Sequence, residues 1–335
     1  MERVTPIYIL SGFLGSGKTT LLSRLLAHFK HQELRPAIVM NEIGEVNIEG
    51  LVGDEKVPTA EMLSGCICCT IRSDLSSEIA ILVDREHPDV IIIEATGIAN
   101  PMEILDAVAE ASLYMRIQVN QLITVVDAAH LLHLKNEQKG KTYRLMQEQI
   151  RAASFLVLNK VDQVTDLEKE TVMECLERWN PHAPIVPAVR CDLNMGELLQ
   201  SDTQGHCRQV HHHGEESGHD HELTDDNRTH GHAHETHDHV MSYTYYFSNP
   251  IDSVEFERFI AGLPRDVYRA KGILTFSDTN SRFLFQYAFR ESDFMKINPQ
   301  GQVPDVVVFI GEHFQKSLLK EQLEKLEGKH TEAEA

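Results

Sequence analysis

The strongest fold signal in this chain is the segment Ile7-Tyr8-Ile9-Leu10-Ser11-Gly12-Phe13-Leu14-Gly15-Ser16-Gly17-Lys18-Thr19-Thr20. Its apolar start predicts a buried strand, and the pattern GxxxxGK followed by Thr predicts a turn whose backbone N–H groups close around phosphate oxygens. The leucine-rich segment 21–26 that follows predicts a helix. A strand, a glycine-rich loop and a helix in this order predict a nucleotide site.

The residue types in this loop suggest separate roles. The Lys18 ammonium can reach the β- and γ-phosphates, and the Thr19 hydroxyl can join the shell of a Mg²⁺ ion. The remaining predicted nucleotide contacts are Gly12, Gly15, Ser16, Gly17 and Thr20. The alternative is a chance glycine-rich turn, which the flanking strand and helix patterns disfavour.

Length and composition limit the class of protein. The chain has 335 residues, of which 42% are hydrophobic, and this favours two domains with a substantial core. It has no apolar run long enough to span a membrane, and segment 1–6 leaves no room for a signal peptide. We therefore expect a cytoplasmic protein with reduced cysteines. The formal charge of −20 argues against nucleic-acid binding and suits a chain that handles cations.

Residues 1–200 alternate short apolar runs with helical patterns. The runs are β-branched and continuous, as in strands that are buried on both faces of a parallel sheet. This pattern predicts an α/β domain with a doubly wound, mostly parallel sheet. The predicted strands are Ile7–Leu10, Ala37–Met40, Val90–Ile93, Leu122–Val126, Phe155–Leu158 and Ile185–Val189.

Two further regions follow this domain. Residues 201–240 are polar and lack an apolar period, so we interpret them as a flexible linker. Residues 241–328 predict a smaller α+β domain, with a strand at the start, a helix at 253–262, strands near 267–276, 282–289 and 306–310, and a helix from His313 to Leu326.

The tetrapeptide Asn159-Lys160-Val161-Asp162 follows a predicted strand and has the NKxD pattern that reads guanine in GTPases. Asp162 would accept hydrogen bonds from N1–H and the N2 amino group of guanine, a pattern that adenine does not offer. The Lys160 stem would lie along the base, and Asn159 would hold the loop together. An ordinary polar turn is the alternative, but a phosphate loop earlier in the chain favours GTP.

The strand at 90–93 ends in Glu94, followed by Ala95-Thr96-Gly97. A carboxylate at the end of a strand beside a phosphate loop commonly holds Mg²⁺ through water, and Glu94 fits that place. Gly97 could bring a backbone N–H to the γ-phosphate. The alternative makes Glu94 a strand terminator and Gly97 a turn glycine.

The segment 64–70 contains three thiols within four residues, at Cys66, Cys68 and Cys69. Because adjacent cysteines would strain a disulfide, three thiolates on a glycine-bounded loop favour a soft-metal site for Zn²⁺. Buried apolar cysteines are the alternative. The scattered Cys175 and Cys191 are interpreted as structural.

The acidic segment 41–50 follows the second predicted strand, at the position of the first switch loop of a GTPase. Its carboxylates could meet Mg²⁺, the attacking water or a transferred metal. Glu42 is our hypothesis for the residue that orients the water. A solvated acidic loop is the alternative.

Eleven of the 19 histidines lie between positions 206 and 239, interleaved with acidic residues. Imidazoles on a flexible chain bind Zn²⁺, Ni²⁺, Co²⁺ or Cu²⁺ with little geometric selectivity. A polar spacer is the alternative. The residues predicted to load metal weakly are His211, His212, His213, His219, His221, His230, His232, His234, His237 and His239.

The order of these motifs resembles that of CobW-type GTPases, relatives of the HypB and UreG metal-insertion GTPases. The motifs are GFLGSGKTT, NEIGEVNIEG, GCICC, EATG and NKVD, and the C-terminal segments LPRDVYRAKGIL and FIGE resemble the CobW C-terminal domain. The resemblance implies a metallochaperone that hydrolyses GTP and passes a divalent ion, usually zinc, to a client metalloprotein. It also implies that Cys66, Cys68 and Cys69 are the transfer-site ligands.

Other functions remain open at this point. The same machinery would serve cobalt or nickel insertion in cobalamin or enzyme-cofactor assembly. A non-catalytic zinc buffer or sensor would use the histidine tract and keep the nucleotide for structure only. A small-molecule kinase is disfavoured because NKxD would have no role in it. The sequence allows a homodimer but does not determine the oligomeric state.

Overall fold

The computed structural model describes residues 3–40, 57–61, 70–137, 140–200, 240–288, 290–299 and 303–328. Three of the predicted sites lie outside these residues: the acidic loop with Glu42, the thiols Cys66, Cys68 and Cys69, and the histidine tract. The motifs around Gly12, Glu94 and Asn159 lie within them.

The first part of the chain alternates strands and helices. Its strands are β1 (Thr5–Ser11), β2 (Pro36–Met40), β3 (Thr59–Glu61), β4 (Val90–Glu94), β5 (Ile117–Asp127), β6 (Phe155–Asn159) and β7 (Ile185–Pro187). Its helices are α1 (Lys18–His31), α2 (Thr70–Glu86), α3 (Pro101–Ala111), α4 (Ala128–Glu137), α5 (Lys141–Ala152), α6 (Asp166–Trp179) and α7 (Met195–Gln200). A 3₁₀ turn, Val161–Gln163, links β6 to α6.

Within the described residues the strands form one parallel sheet in the order β3-β2-β4-β1-β5-β6-β7. The first strand lies in the middle and the chain builds outward on both sides, which confirms the predicted doubly wound α/β fold. Alternate side chains of β1 pack into hydrophobic cores on opposite faces of the sheet. Ile7 and Ile9 pack on one face of the sheet, while Tyr8 and Leu10 pack against α1 on the other. Burial on both faces explains the continuous apolar runs.

In its described residues, the second part is an antiparallel sheet with two helices. It contains β8 (Val240–Phe247), α8 (Ser253–Ala261), β9 (Val267–Thr275), β10 (Arg282–Ala288), β11 (Glu291–Ile297), β12 (Asp305–Glu312) and α9 (Lys316–Leu326). The strand order is β11-β10-β9-β12-β8. Val307 and Phe309 pack with α8 and α9, whereas Val306, Val308 and Ile310 join the core of the first part. The predicted smaller α+β domain is confirmed.

Several boundaries differ from the sequence-based expectations. The final helix begins at Lys316 rather than His313, because His313 adopts a left-handed φ of 50° and Phe314 turns into the core. Strand β11 was not predicted, since it is an edge strand whose largely exposed residues show no apolar alternation. Strand β5 begins five residues before the predicted Leu122, because Gln118, Asn120 and Gln121 interrupt its apolar pattern.

The two sheets meet along α3 and the start of β5. Tyr246 on β8 places its hydroxyl 3.0 Å from the Ile117 backbone nitrogen and 2.8 Å from the Met115 carbonyl oxygen. The Arg116 guanidinium lies 5.1 Å from the centroid of the same ring. Across α3, Arg269 pairs with the buried Asp106, and Lys271 lies 3.6 Å from Glu110. Hydrogen bonds, ion pairs and a shared core therefore join the two parts.

Among the described residues, none of the helices is both long enough and apolar enough to cross a membrane.

Candidate functional site

The glycine-rich loop connects β1 to α1 and packs closely against the side chain of Asn159. Gly17 has a φ of 114°, and a Cβ atom there would lie 2.4 Å from Nδ2 of Asn159. Only glycine fits that backbone and that distance without rearrangement. The Ser16 N–H donates to the Phe13 carbonyl oxygen at 3.2 Å, which closes the turn. The loop thus has the tight curvature that phosphate binding by backbone N–H groups requires.

Helix α1 begins directly at Lys18, and no side chain caps its N-terminus. The first N–H groups and the helix dipole therefore favour an anion at this end. Lys18 is buried and its ammonium donates to the Gly12 oxygen at 2.9 Å and the Phe13 oxygen at 3.3 Å. The Lys18 ammonium is therefore held against the loop that would surround the phosphates.

Thr19 and Glu94 meet across the gap between α1 and β4. The Thr19 hydroxyl donates to Oε1 of Glu94 at 2.9 Å, although 75 residues separate the two in sequence. Glu94 is buried at the end of β4 and lies beside Leu10, at the end of β1. A hydroxyl and a carboxylate are oxygen ligands of the kind Mg²⁺ prefers. This pair therefore fits a magnesium ion next to the phosphate loop.

The loop after β4 touches the phosphate loop. A Cβ atom at Gly97 would lie 2.5 Å from the Leu14 backbone nitrogen, so a side chain here would force the two loops apart. Gln149 on α5 holds this loop in place, since its side-chain amide donates to Gly97 O at 3.1 Å and to Ala99 O at 3.4 Å. The Gly97 loop is thus held between the phosphate loop and α5.

Asn159 links the phosphate loop to the segment after β7. It is 2% exposed, its Nδ2 donates to Ser16 O at 2.8 Å, and its Oδ1 accepts from the Cys191 N–H at 2.9 Å. The Val161 N–H donates to Ala188 O at 3.3 Å, so the NKVD turn and segment 187–191 lie side by side. Both sequence segments therefore border the same end of the sheet as the phosphate loop.

Lys160 and Asp162 differ in their surroundings. Lys160 has a left-handed φ of 61°, and its ammonium lies 2.6 Å from Oδ2 of Asp127 at the end of β5. This ion pair fixes the direction of the lysine stem. Asp162 lies in the 3₁₀ turn and its side chain is exposed, so its carboxylate is accessible to a base.

Two contributors to this geometry, Asp127 and Gln149, were missed by sequence reasoning. Asp127 follows a buried strand and could have been found by the rule that places functional residues at carboxyl ends of strands. Gln149 lies inside a helix without any local signal. Cys191 was interpreted as structural, and its thiol packs 3.4 Å from Gly17 O. Burial raises the pKa of Cys191 to about 11, which keeps this thiol neutral.

One histidine also lies beside the phosphate loop. The His130 backbone N–H donates to Oδ1 of Asp127 at 3.0 Å. The centroid of the His130 ring lies 5.1 Å from that of Phe13. Within the described ranges no group of three or more His, Cys, Asp or Glu side chains is placed to hold a metal ion. The predicted ligands Cys66, Cys68 and Cys69, the histidine tract and Glu42 fall outside those ranges.

Comparison with known proteins follows the same division of the chain. Residues 6–187 match the family described as "CobW/HypB/UreG, nucleotide-binding domain". Residues 240–327 match "Cobalamin synthesis protein cobW C-terminal domain".

Individual relatives are similar over different lengths. The chain is 30% identical over 231 residues to "Zinc-regulated GTPase metalloprotein activator 1" of Dictyostelium discoideum, covering 58% of this chain and 48% of that protein. It thus spans about half the length of that relative. It is 28% identical over 291 residues to "Zinc chaperone YjiA" of Escherichia coli, covering 84% and 85%. A solved structure of Zn(II)-bound YjiA GTPase from E. coli shares 23% identity with a TM-score of 0.46, covering 97% and 99%. Because the nucleotide-binding match alone covers more than half of the residues, the chain belongs to the CobW/HypB/UreG family.

Proposed function

We propose that this protein is a GTP-dependent metallochaperone that carries a divalent ion, zinc, to a client metalloprotein. The observation that carries the proposal is the contact of Asn159 with Ser16, which joins the NKVD turn to the phosphate loop at 2.8 Å. One bound nucleotide can therefore meet a phosphate-binding loop and a guanine-reading turn together. Its relatives include proteins named as zinc chaperones and as a zinc-regulated GTPase metalloprotein activator.

The nucleotide roles follow from this arrangement. Gly12, Gly15, Ser16, Gly17 and Thr20 line the phosphates, and the Lys18 ammonium turns from the Gly12 and Phe13 oxygens toward the β- and γ-phosphates. Thr19 and Glu94 hold Mg²⁺, which supplies charge neutralisation on the phosphates when bound. Lys18 stabilises the negative charge that develops on the γ-phosphoryl oxygens. Gly97 presents its backbone N–H to the γ-phosphate.

Guanine is selected by the turn after β6. Asp162 accepts two hydrogen bonds from the base, and its exposed carboxylate is compatible with that role. The Lys160 stem lies along the base while its ammonium remains paired with Asp127 at 2.6 Å. Asn159 keeps its two contacts with Ser16 and Cys191 and so positions the turn.

The transfer site for zinc is assigned to Cys66, Cys68 and Cys69. Strands β2, β3 and β4 are neighbours, with Met40 paired to both Glu61 and Glu94. The carboxyl ends of parallel strands meet at one edge, so Met40, Glu61 and Glu94 end their strands at the same edge of the sheet. Segment 41–50 follows Met40 in sequence, and we assign the role of the water-orienting residue to Glu42. The cysteine segment follows Glu61 in sequence.

We further propose that GTP orders the acidic loop and completes the zinc site, and that hydrolysis releases the ion to the client. The histidine tract, with its ten candidate ligands, loads several ions weakly. The protein acts in the cytoplasm, binds no nucleic acid or membrane, and a homodimer is compatible with this function. Cobalt or nickel in place of zinc would leave this chemistry unchanged.

Multiple-turnover GTP hydrolysis, measured with and without zinc, tests the proposal. We expect slow turnover that responds to zinc, and we expect Lys18→Ala to abolish it because the cation that faces the developing charge is lost. Lys169→Ala, a lysine on the exposed face of α6, is the matched control and should retain full activity. Undiminished turnover in a folded Lys18→Ala protein would exclude this phosphate site. Turnover that ignores zinc would favour the buffer alternative.

A further inference from the structure

A pair of histidines faces one another across the junction between the two sheets. The imidazole of His182, in the turn after α6, has its centroid 4.0 Å from that of His313, at the end of β12, with the rings tilted by 48°. Both side chains are exposed to solvent. They lie 131 positions apart in sequence, and neither belongs to the nucleotide site or to the histidine tract.

Hydrogen bonds of the buried Asn180 side chain hold the turn that contains His182. Asn180 is fully buried and its Oδ1 accepts from the backbone N–H groups of His182 at 3.3 Å and Ala183 at 2.9 Å. Its Nδ2 donates to the carbonyl oxygens of Ile150, Arg151 and Ala153. The first imidazole therefore projects from a turn whose backbone has little freedom.

The backbone of His313 is fixed as well. The preceding residue, Glu312, donates its N–H to Asp266 O at 2.7 Å, and the following residue, Phe314, is buried. His313 itself has a φ of 50°, a conformation that costs free energy for a residue with a Cβ atom. The chain holds this imidazole at the junction despite that cost.

The domain contacts keep the two turns together. The hydrogen bonds of Tyr246 with segment 115–117 and the pairing of Arg269 with Asp106 join the same two parts of the chain. The two imidazoles thus have a defined separation before any ligand binds, and this preorganisation lowers the entropic cost of binding a shared ion.

We propose that His182 and His313 form a divalent-metal site that bridges the two domains and takes zinc or a similar imidazole-binding ion. Two imidazoles on one tetrahedral zinc have centroids roughly 5 Å apart, since zinc–nitrogen distances are about 2.0–2.1 Å. Rotation of two exposed side chains supplies the small increase from 4.0 Å. Among the described residues, no third His, Cys, Asp or Glu joins the pair, so the ligands that we assign to the site from these residues are the two imidazoles.

The position of the site relates it to the rest of the chain. Val240, the first described residue after the histidine tract, pairs with Glu312, which is next to His313. The tract is therefore connected in sequence to the strand end that pairs with Glu312. When bound between His182 and His313, the ion would tie the C-terminal sheet to the nucleotide-binding sheet. The proposal does not depend on GTP hydrolysis or on the cysteine site.

Amide hydrogen exchange of the full-length protein, kept in the GDP-bound state, tests the site. The Ile117 N–H donates to the Tyr246 hydroxyl of the other domain at 3.0 Å and to Met115 O of its own domain at 2.9 Å. Separation of the two domains breaks the first of these bonds, so faster exchange of this N–H reports on that separation. If zinc binds the protein only while the two domains are in contact, it slows this exchange by the factor 1 + [Zn]/Kd. The factor is about tenfold at a zinc concentration of ten times the Kd. Mg²⁺, which prefers oxygen ligands, should have no such effect.

Histidine-to-asparagine variants decide whether the protection comes from this pair. Asparagine tolerates the left-handed backbone of His313, so H313N and H182N should fold. His87→Asn is the matched control, because His87 is also exposed and has a φ of 46°. We expect zinc-dependent protection of segment 115–120 in the wild type and in H87N, and its loss in H182N and H313N. Protection that persists in either junction variant, or is absent from the wild type, would overturn the proposal, while zinc-responsive GTP turnover would test the chaperone function separately.

Discussion

Asn159 determines how the two halves of the nucleotide site are joined. It is buried, and its single amide satisfies the Ser16 carbonyl oxygen and the Cys191 N–H at the same time. Asp162, three residues later, lies exposed in the 3₁₀ turn, and among the described residues its carboxylate has no such structural contact. The same tetrapeptide therefore contains one residue that organises the loop and one whose carboxylate is available for recognition of the base.

Asp162→Ala should weaken GTP binding and leave phosphate contacts unchanged. Each hydrogen bond to a charged group contributes about 1.5–3 kcal/mol, and two of them contribute less than their sum here because the Asp162 carboxylate is exposed to water. We therefore expect a loss of roughly 2–4 kcal/mol. Equilibrium binding of GTP and ATP to both proteins measures this effect, and Asp166→Ala, on the exposed start of α6, is the control. Wild-type protein that binds ATP as tightly as GTP would exclude Asp162 as the guanine reader.

Cys191 should resist alkylation. Burial raises its pKa to about 11, so at pH 8 the thiol is protonated and unreactive in the folded state. The unfolded thiol ionises near pH 8.5, and stability linked to this group is therefore lost as the pH rises above that value. Mass spectrometry of the Cys191 peptide after iodoacetamide treatment at pH 8 should show modification only when a denaturant is present. Rapid labelling in the native protein would contradict the buried position.

At the scale of elements, α5 connects the loop after β4 to the base of the nucleotide site. Gln149 donates to Gly97 O and Ala99 O, and Thr124 on β5 donates to the Gln149 carbonyl oxygen at 2.9 Å. The loop continues into α3, where Asn100 caps the helix through the Met102 N–H and Asp106 pairs with Arg269. Movement of the Gly97 loop would thus act on the helix that contacts the C-terminal sheet.

Gln149→Ala should lower the rate of GTP hydrolysis more than the affinity for GDP. A lost hydrogen bond of about 1 kcal/mol corresponds to roughly a fivefold effect, and we expect it in kcat because Gly97 would contact only the γ-phosphate. The matched control is Gln147→Ala, two residues earlier on α5. An equal loss of GDP affinity would indicate a general structural role instead of positioning.

Sequence patterns predicted those elements whose signal is local. The strand, loop and helix around Gly12 and the NKVD turn after β6 combine a continuous apolar run with specific turn residues, so both were recognised in place. Edge strand β11 has few buried side chains and gave no signal. Contacts such as Gln149 with Gly97, or Cys191 with Asn159, join residues that are distant in the chain, so spacing alone could not reveal them.

At the scale of the whole molecule, the antiparallel sheet uses both of its faces. One face of β12 packs with α8 and α9, and the other contributes Val306, Val308 and Ile310 to the core of the nucleotide-binding part. The C-terminal part is therefore packed against the rest of the chain, with Tyr246 at the polar centre of the contact. Burial raises the pKa of the Tyr246 hydroxyl, so it remains a neutral donor and acceptor.

Tyr246→Phe should loosen this contact. The hydrogen bonds of the hydroxyl with the Ile117 N–H and with the Met115 and Ile117 carbonyl oxygens would be lost. The Ile117 N–H keeps the Met115 oxygen at 2.9 Å, so we expect the cost of a lost hydrogen bond, about 0.5–1.5 kcal/mol. Amide exchange in segment 115–120 should accelerate accordingly, whereas Tyr114→Phe, which removes an exposed hydroxyl, should leave exchange unchanged. Unaltered exchange in Tyr246→Phe would show that this hydroxyl does not stabilise the contact between the two sheets.

In the proposed function GTP controls metal binding, and a zinc competition titration, run first with GTP–Mg²⁺ and then with GDP, measures this coupling. We predict one tight ion whose affinity is about 5- to 150-fold higher with GTP, a typical range for coupled sites, together with weaker sites that ignore the nucleotide. Parallel titrations with Co²⁺ and Ni²⁺ identify the preferred metal. Deletion of residues 206–239 should remove weak sites only, and replacement of Cys66, Cys68 and Cys69 by Ser should remove the tight one. A triple-Ser protein that retains one tight, GTP-sensitive ion would contradict this account.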